Sequence, residues 1–370
     1  MTTITITVIN RAPGELILNK KYMNEKFPSF VSVVQQFLKE AMIDENNPPL
    51  AACLAVAGPV KDNTVCFTNR KDWIINGDEL QTVLGIKCVK LINDFLAVGY
   101  GLLTLDIEKD SVVLQSGIKN SLSPIACIGA GTGLGQCYLT PSKDGSYQCF
   151  PSEGGHAEFA PRDDFEIGLL KHLMKKFSQK HRVSVERVIS GHGLVNIYEY
   201  LCVINPNLID QTVHKKFEEA GDLKAAIIAT NLHNELCSKA MDTFVTAYGA
   251  EAGVAALKWL PYGGLYITGG MTPKNIDLIH TGPNGKFMTA LKDKGRVSGV
   301  IDNIPIYAVL AEDLGERGAH FMAFTDFQEI IKSSIITPKQ EQKPSNLSGF
   351  LTLGFSIACI TGAILYYRKK

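Results

Sequence analysis

Asn93 and Asp94 stand together between an apolar run, "KCVKLI", and a helix-like segment, "FLAVGYGLL". A carboxylate at the carboxyl end of a buried strand lies where open α/β sheets place their ligands, and there it can take a proton from a substrate hydroxyl. Asp also favours the cap of a following helix, so the position has two readings, base and cap. A second stretch, "PSEGGHAEFAPR", sets Glu153 and His156 on either side of a Gly-Gly turn. The carboxylate accepts and the imidazole donates or accepts, a combination suited to gripping neighbouring hydroxyls; the alternative is an ordinary surface loop. Glu186, in "VSVERVISGHGLVNIYEYL", reads by itself as a solvated helical residue.

Two apolar runs end in glycine-rich turns. In "IACIGAGTGLG", Gly129, Gly131, Gly133 and Gly135 surround Thr132; in "GLYITGGMTPKN", Gly269 and Gly270 are adjacent. Glycine lets backbone approach a ligand closely and leaves amide N–H groups free to face phosphate oxygens. The first turn lacks the Gly-x-Gly-x-x-Gly spacing, and "QCYLTP" continues as a strand rather than a helix, so a strand-turn-strand loop is expected in place of a dinucleotide fingerprint. Its alternative is a tight hairpin with no ligand. No Gly-x-x-x-x-Gly-Lys-Ser/Thr occurs, which excludes an ordinary P-loop.

These residues need a scaffold, and the chain is long enough to supply one: 370 residues, 45% hydrophobic. Lys plus Arg and Asp plus Glu are equal at 37 each, so overall charge points to no nucleic acid or anionic surface as partner, and a neutral small molecule fits better. The nine cysteines form no Cys-x-x-Cys pair and the eight histidines no His-Glu-x-x-His, so free thiols and no metal site are expected. Strand-like runs ("TITITVI", "LILNKKY", "AACLAVAG", "VCFTN", "KCVKLIN", "PIACIGAG", "QCYLTP", "GLYITGG", "IPIYAVL") alternate with helical patterns such as "FPSFVSVVQQFLKEAM", "FEIGLLKHLMKKFS" and "HNELCSKAMDTFVTAYGAEAGVAALKWL". That alternation means α/β architecture.

The carboxyl terminus differs in character. From Leu347 to Tyr367 there is no charged residue; the stretch follows a polar linker, "TPKQEQKPSN", and ends in Arg368, Lys369 and Lys370. As a helix it would be about 32 Å long at roughly 1.5 Å per residue, close to the ~30 Å hydrocarbon core of a bilayer. A transmembrane tail anchor over 347–367 is expected, with a packed terminal helix as the alternative. With no segment resembling a signal peptide, the body is expected in the cytosol, on the face of an intracellular membrane. The basic end favours the mitochondrial outer membrane over the endoplasmic reticulum.

In order along the chain, "AVAGPV", "FTNRKDW", "INDFLAVGYG", "IGAGTGLG", "EGGHAEFAPR", "ERVISGHGLVNIYEYL", "GGLYITGGMTPKN" and "GRVSGVIDNIPIYAVLAEDLGERGAHF" resemble a bacterial-type glucokinase of the hexokinase–actin–Hsp70 superfamily. The resemblance covers residues from about 15 to 330. "APRDDFEIG" stands where the zinc-bearing branch carries a cysteine cluster, which points to the non-zinc branch.

The resemblance implies a two-domain actin-like ATPase (ribonuclease H-like) fold. The small α/β domain would be 1–104 completed by 313–332, the large one 105–312, with a linker at 333–346 and the tail after it. It also implies ATP with Mg²⁺ as co-substrate, glucose as acceptor, and a homodimer as the assembly common among related enzymes. Carried over by position, Asp94 matches the general base, and Asn93, Glu153, His156 and Glu186 match the sugar ligands. Gly129, Gly131, Thr132 and Gly133 fall in the second phosphate loop, and Gly269 and Gly270 in the adenosine-side loop.

Glucokinases of this type open with an Asp-x-Gly-Gly-Thr turn that holds phosphate and helps place Mg²⁺. No such element occurs in this sequence, whose first residues resemble the strand after that turn. Either the sequence is shortened at its start, or the chain is a catalytically impaired, membrane-anchored sugar-binding pseudokinase.

Overall fold

The computed structural model describes residues 3–9, 16–43, 46, 48–66 and 73–336. They fall into two compact units: the described residues of Met1–Leu105 together with those from Asp313 onward, and Asp106–Glu312.

In the first unit, β1 (Thr3–Ile9) and β2 (Leu16–Met23) pair antiparallel. β3 (Ala51–Val56) runs parallel to β6 (Cys88–Asn93) with Val56 opposite Asn93, and β4 (Thr64–Cys66) pairs antiparallel with β5 (Ile74–Asn76). Helix α1 (Phe30–Glu40) starts at Ser29, whose hydroxyl accepts from Ser32 N–H in a capping box, and it buries Phe30, Val33, Val34 and Phe37. Those positions share one helical face. α2 (Gly77–Leu84) is capped by Asn76 and closed by Gly85 in the left-handed region, φ 67°.

Helix α3 (Asp94–Gly101) explains the glycines of "FLAVGYG". A Cβ on Gly101 would lie 2.2 Å from Leu314 O, and one on Gly318 would lie 1.7 Å from Ala97 O. α3 and the helix Leu314–Ile336 therefore cross with their backbones nearly touching, which any larger residue at either position would block.

The second unit is built on one six-stranded sheet of order β10-β9-β8-β11-β12-β7. Its strands are β7 (Ser111–Gln115), β8 (Ile125–Ala130), β9 (Leu134–Pro141), β10 (Tyr147–Ser152), β11 (Gly264–Thr268) and β12 (Ile306–Val309). β8, β11 and β12 are parallel, whereas β9, β10 and β7 join antiparallel. Central β8 and its neighbour β11 are buried at every residue, which is why their sequences are apolar without alternation.

The helices of this unit are α4 (Ile107–Asp110), α5 (Asp164–Lys176), α6 (Gly191–Ile204), α7 (Gln211–Glu219), α8 (Lys224–Thr230), α9 (Glu235–Trp259), α10 (Met271–Lys274), α11 (Ile276–Ile279) and α12 (Lys286–Lys292). α9 begins at Asn234, whose side chain accepts from Cys237 N–H at 3.0 Å. Its small residues have a packing reason: a Cβ on Gly249 would lie 2.1 Å from Phe287 O, and one on Gly253 2.2 Å from Leu291 O, so α12 lies directly against it.

The expectation of a fold with a C-terminal transmembrane helix is corrected: the described residues form an α/β architecture. Among the described residues no helix is long and apolar enough to cross a membrane. The helix Leu314–Ile336 is long enough, but it carries Glu316, Arg317, Asp326, Glu329 and Lys332, charges that a hydrocarbon core would reject. The stretch 347–367 lies outside the described residues.

Candidate active site

Asn93 and Asp94 belong to the first unit. Asn93 is the last residue of β6 and the N-cap of α3; its Oδ1 accepts from Phe95 N–H at 2.9 Å and Leu96 N–H at 3.1 Å. Its amide donates to Gly58 O at 3.2 Å. The cap is thus Asn93. Asp94 occupies the first helical position, exposed, with its Oδ1 accepting from Phe95 N–H at 2.8 Å.

Glu153, His156 and Glu186 belong to the second unit. Glu153 and His156 flank a single 3-10 turn, Gly154–His156, with Glu153 Oε2 3.8 Å from His156 Nε2 and both side chains largely exposed. The Gly-Gly pair is forced by packing, since a Cβ on Gly154 would lie 2.2 Å from Gln136 Oε1 and one on Gly155 1.9 Å from Leu134 O. Glu186 sits on the 3-10 turn Val185–Arg187, half-buried, and its Oε2 accepts from Leu134 N–H at 3.0 Å. A Cβ on Gly133 would lie 2.4 Å from the same oxygen. Glu186 is therefore no solvated helical residue; it anchors the glycine turn between β8 and β9.

That turn is strand-turn-strand, as the sequence indicates. Gly131 N–H donates to Gly133 O at 2.8 Å, and Gly191 N–H donates to Gly131 O at 2.8 Å. Gly131 and Thr132 line a cavity of about 710 Å³ together with Gly191, His192, Lys224, Gly270, Lys274 and Asn275. A volume of that size suits a cofactor-sized molecule, for which sites run roughly 300–1,000 Å³. Its chemistry suits an anion. The 14-residue helix α6, capped by Ser190, starts at this wall with the positive end of its dipole, and Lys224 and Lys274 add two ammonium groups.

Gly269, at φ 82°, turns the chain at the end of β11, where a Cβ would lie 2.4 Å from Ala130 O. Gly129 lies inside β8, paired with Gly135 and Thr268, and does not line the cavity. Gly133 and Gly269 shape the loops without lining it. The stretch 221–230 and Lys274 escaped the sequence reading. Ser190-Gly191-His192-Gly193 was readable as a helix start, but not as a cavity wall.

Among the described residues no group of three or more His, Cys, Asp or Glu side chains could hold a metal ion. The chain's described residues thus form no metal cluster of their own.

The family model for glucokinase matches residues 2–325. The chain is 43% identical to the glucokinase of Synechocystis over 332 residues, covering 85% of this chain and 92% of that one. Among solved structures it is similar to a glucokinase from an Antarctic psychrotroph, at 27% identity and TM-score 0.70, covering 88% of this chain and 99% of that one. A ROK family glucokinase from Streptomyces griseus in complex with glucose and AMPPNP shares the fold at 15% identity and TM-score 0.56, covering 88% and 100%.

These findings also overturn the expected localisation. The relatives are bacterial glucokinases, the family match ends at residue 325, and no described helix can span a bilayer. A tail anchor in the mitochondrial outer membrane or endoplasmic reticulum, and a membrane partner through 347–367, are not retained. By the extent of the family match and the identity to its members, the chain belongs to the glucokinase family.

Proposed function

We propose that Asp94 is the general base in the phosphorylation of glucose to glucose 6-phosphate. The overall reaction, ATP-dependent transfer to glucose, is that of the family to which the chain belongs. One observation carries the role of Asp94. Asn93 caps α3, so the carboxylate beside it is not required for capping and stays exposed at the carboxyl end of a buried strand.

In this reading Asp94 accepts the proton of the sugar 6-hydroxyl as that oxygen forms a bond to the γ-phosphorus. The bond from the γ-phosphorus to the bridging oxygen breaks, and ADP leaves with the electron pair. Asn93, Glu153, His156 and Glu186 hold the other hydroxyls. The Asn93 amide has two N–H groups and spends one on Gly58 O, so one remains for a sugar oxygen. Glu186 gives one oxygen to Leu134 N–H and keeps its second for the substrate.

The nucleotide is assigned to the 710 Å³ cavity. Gly131 and the Thr132 hydroxyl line the phosphate side, Gly133 shapes that turn, and Gly269 and Gly270 shape the adenosine side. Mg²⁺ accompanies ATP as part of the co-substrate, in keeping with its preference for phosphate oxygens and water over all-protein cages.

Asp94→Asn tests the assignment. The amide still hydrogen-bonds but cannot take the proton, so glucose binding by calorimetry should persist while kcat falls by at least about 10²-fold, within the usual range for general-base catalysis. A variant that keeps most of its turnover removes Asp94 from the role.

A further inference from the structure

A second cavity, of about 290 Å³, lies in the second unit and is lined by His156, Phe177, Gln179, Arg182, Ser184 and Arg187. Its surroundings are unlike the rest of this chain. Overall the charges balance, yet Lys171, Lys175, Lys176, Lys180, Arg182 and Arg187 stand in 171–187 against Glu186 alone, and that carboxylate is engaged with Leu134 N–H.

Two guanidinium groups face this cavity. Arg187 lies over the Phe177 ring at 4.2 Å, and among the described residues no carboxylate pairs with it. Arg182 donates from Nη1 to His156 O at 2.7 Å; its nearest carboxylate, Glu158, is 3.9 Å from Nε and largely exposed, which makes a weak, water-screened pair. The hydroxyl of Ser184 is a further donor and makes no cap bond to the turn that follows it.

We propose that this cavity binds a small phosphate-bearing anion and thereby regulates the hold on sugar. Planar guanidinium forks match phosphate oxygens, and two arginines and a serine lining one concave site are a phosphate-recognition set. The cavity also has a mechanical connection to the loop of Glu153 and His156. Phe159 N–H donates to Val183 O and Val185 N–H to Ala157 O, both at 2.8 Å, so the arginine-bearing segment is stitched to the residues that follow that loop.

An anion that draws Arg182 toward itself takes the donor away from His156 O. The loop then loses a tether, and glucose is held less firmly. This regulatory half rests on the assignment of Glu153 and His156 to the sugar; binding of the anion does not.

The test is calorimetric titration of inorganic phosphate into the full chain, with glucose and a non-hydrolysable ATP analogue saturating so that the reaction site is filled. Saturable uptake is expected, weakened tenfold or more in Arg187→Gln and in Ser184→Asp, the second adding a carboxylate to the cavity lining while leaving Arg187 on the Phe177 ring. No saturable uptake, or unchanged affinity in both variants, overturns the site.

In a parallel arm, glucose affinity is measured with and without phosphate. A several-fold weakening in the wild type that disappears in Arg187→Gln supports regulation, and phosphate that binds with no effect on glucose overturns it. Titration with glucose 6-phosphate under the same conditions distinguishes product from free phosphate as the source; the tighter of the two identifies it. If Glu153→Ala leaves glucose affinity unchanged while phosphate still binds, the sugar assignment has failed and the anion site has not.

Discussion

The backbone N–H of Ala130 donates to the hydroxyl of Tyr248 at 3.1 Å. That hydroxyl in turn donates to Thr268 O at 3.0 Å and lies 3.3 Å from Thr272 Oγ1. Ala130 ends β8 and Thr268 ends β11, so one phenol, fully buried in α9, joins the roots of both glycine turns. Burial pushes its ionisation far above the ordinary tyrosine value, and it stays a neutral donor and acceptor at any physiological pH.

Tyr248→Phe should therefore act on the nucleotide. It takes the buried hydroxyl away from the Ala130 N–H, while Thr268 O keeps the Thr272 hydroxyl at 2.7 Å, a loss of about 1–3 kcal/mol. Stability should fall in that range and the KM for ATP should rise several-fold, with glucose affinity by calorimetry unchanged. Equal effects on both substrates would show that the phenol holds the whole unit rather than its phosphate turns.

Glu153 and Glu186 should separate in the same assays. Glu153→Ala removes an exposed carboxylate that lies beside His156, so glucose binding should weaken by roughly 1.5–3 kcal/mol, as for hydrogen bonds to a charged group, with ATP unaffected. Glu186→Ala also strips the partner from Leu134 N–H, so KM should rise for both glucose and ATP. An unchanged glucose dissociation constant in the Glu153 variant takes that residue out of the sugar site.

Gly269→Ala combines two penalties. At φ 82° an L side chain is strained by about 1–2 kcal/mol, and its Cβ would meet Ala130 O at 2.4 Å. The turn must move away from β8, and nucleotide affinity should fall at least tenfold. Gly131→Ala is the control. No atom lies within 4 Å of that Cβ, so folding should be unaffected and any loss of ATP affinity reports on the ligand itself.

His320 should make stability depend on acid. Burial lowers its pKa from 6.5 to about 4, and its Nε2 has no hydrogen-bond partner among the described residues. Below pH 6.5 the unfolded chain takes up a proton that the folded chain resists until about pH 4, so stability falls as pH drops through that window. The thermal midpoint should decline less steeply between pH 6.5 and 4 in His320→Asn than in the wild type. Parallel slopes would mean that other groups dominate acid unfolding.

The α/β class was legible because apolar runs and helical periodicity are local properties of the chain. The strand-turn-strand character of "GAGTGLG" was legible for the same reason: "QCYLTP" has strand composition and no helix start. Weakly patterned edge strands escaped. "SVVLQ" became β7 only because β12 offered an edge to pair with, and "YQCFPS" became β10 against β9.

The site residues were named by resemblance to a family motif by motif, while their roles within the unit depended on contacts the pattern does not encode. Glu186 reads as solvated until Leu134 N–H, 52 positions away, is brought to it. Lys224 and Lys274 look like surface cations until α6 and the turn after β11 close a cavity around them. The glycines at 101, 249 and 318 acquire a reason only when a second backbone presses on each. Local composition sets which elements form. Hydrogen bonds and close backbone approach between distant segments depend on tertiary packing, and they decide which side chains face a ligand.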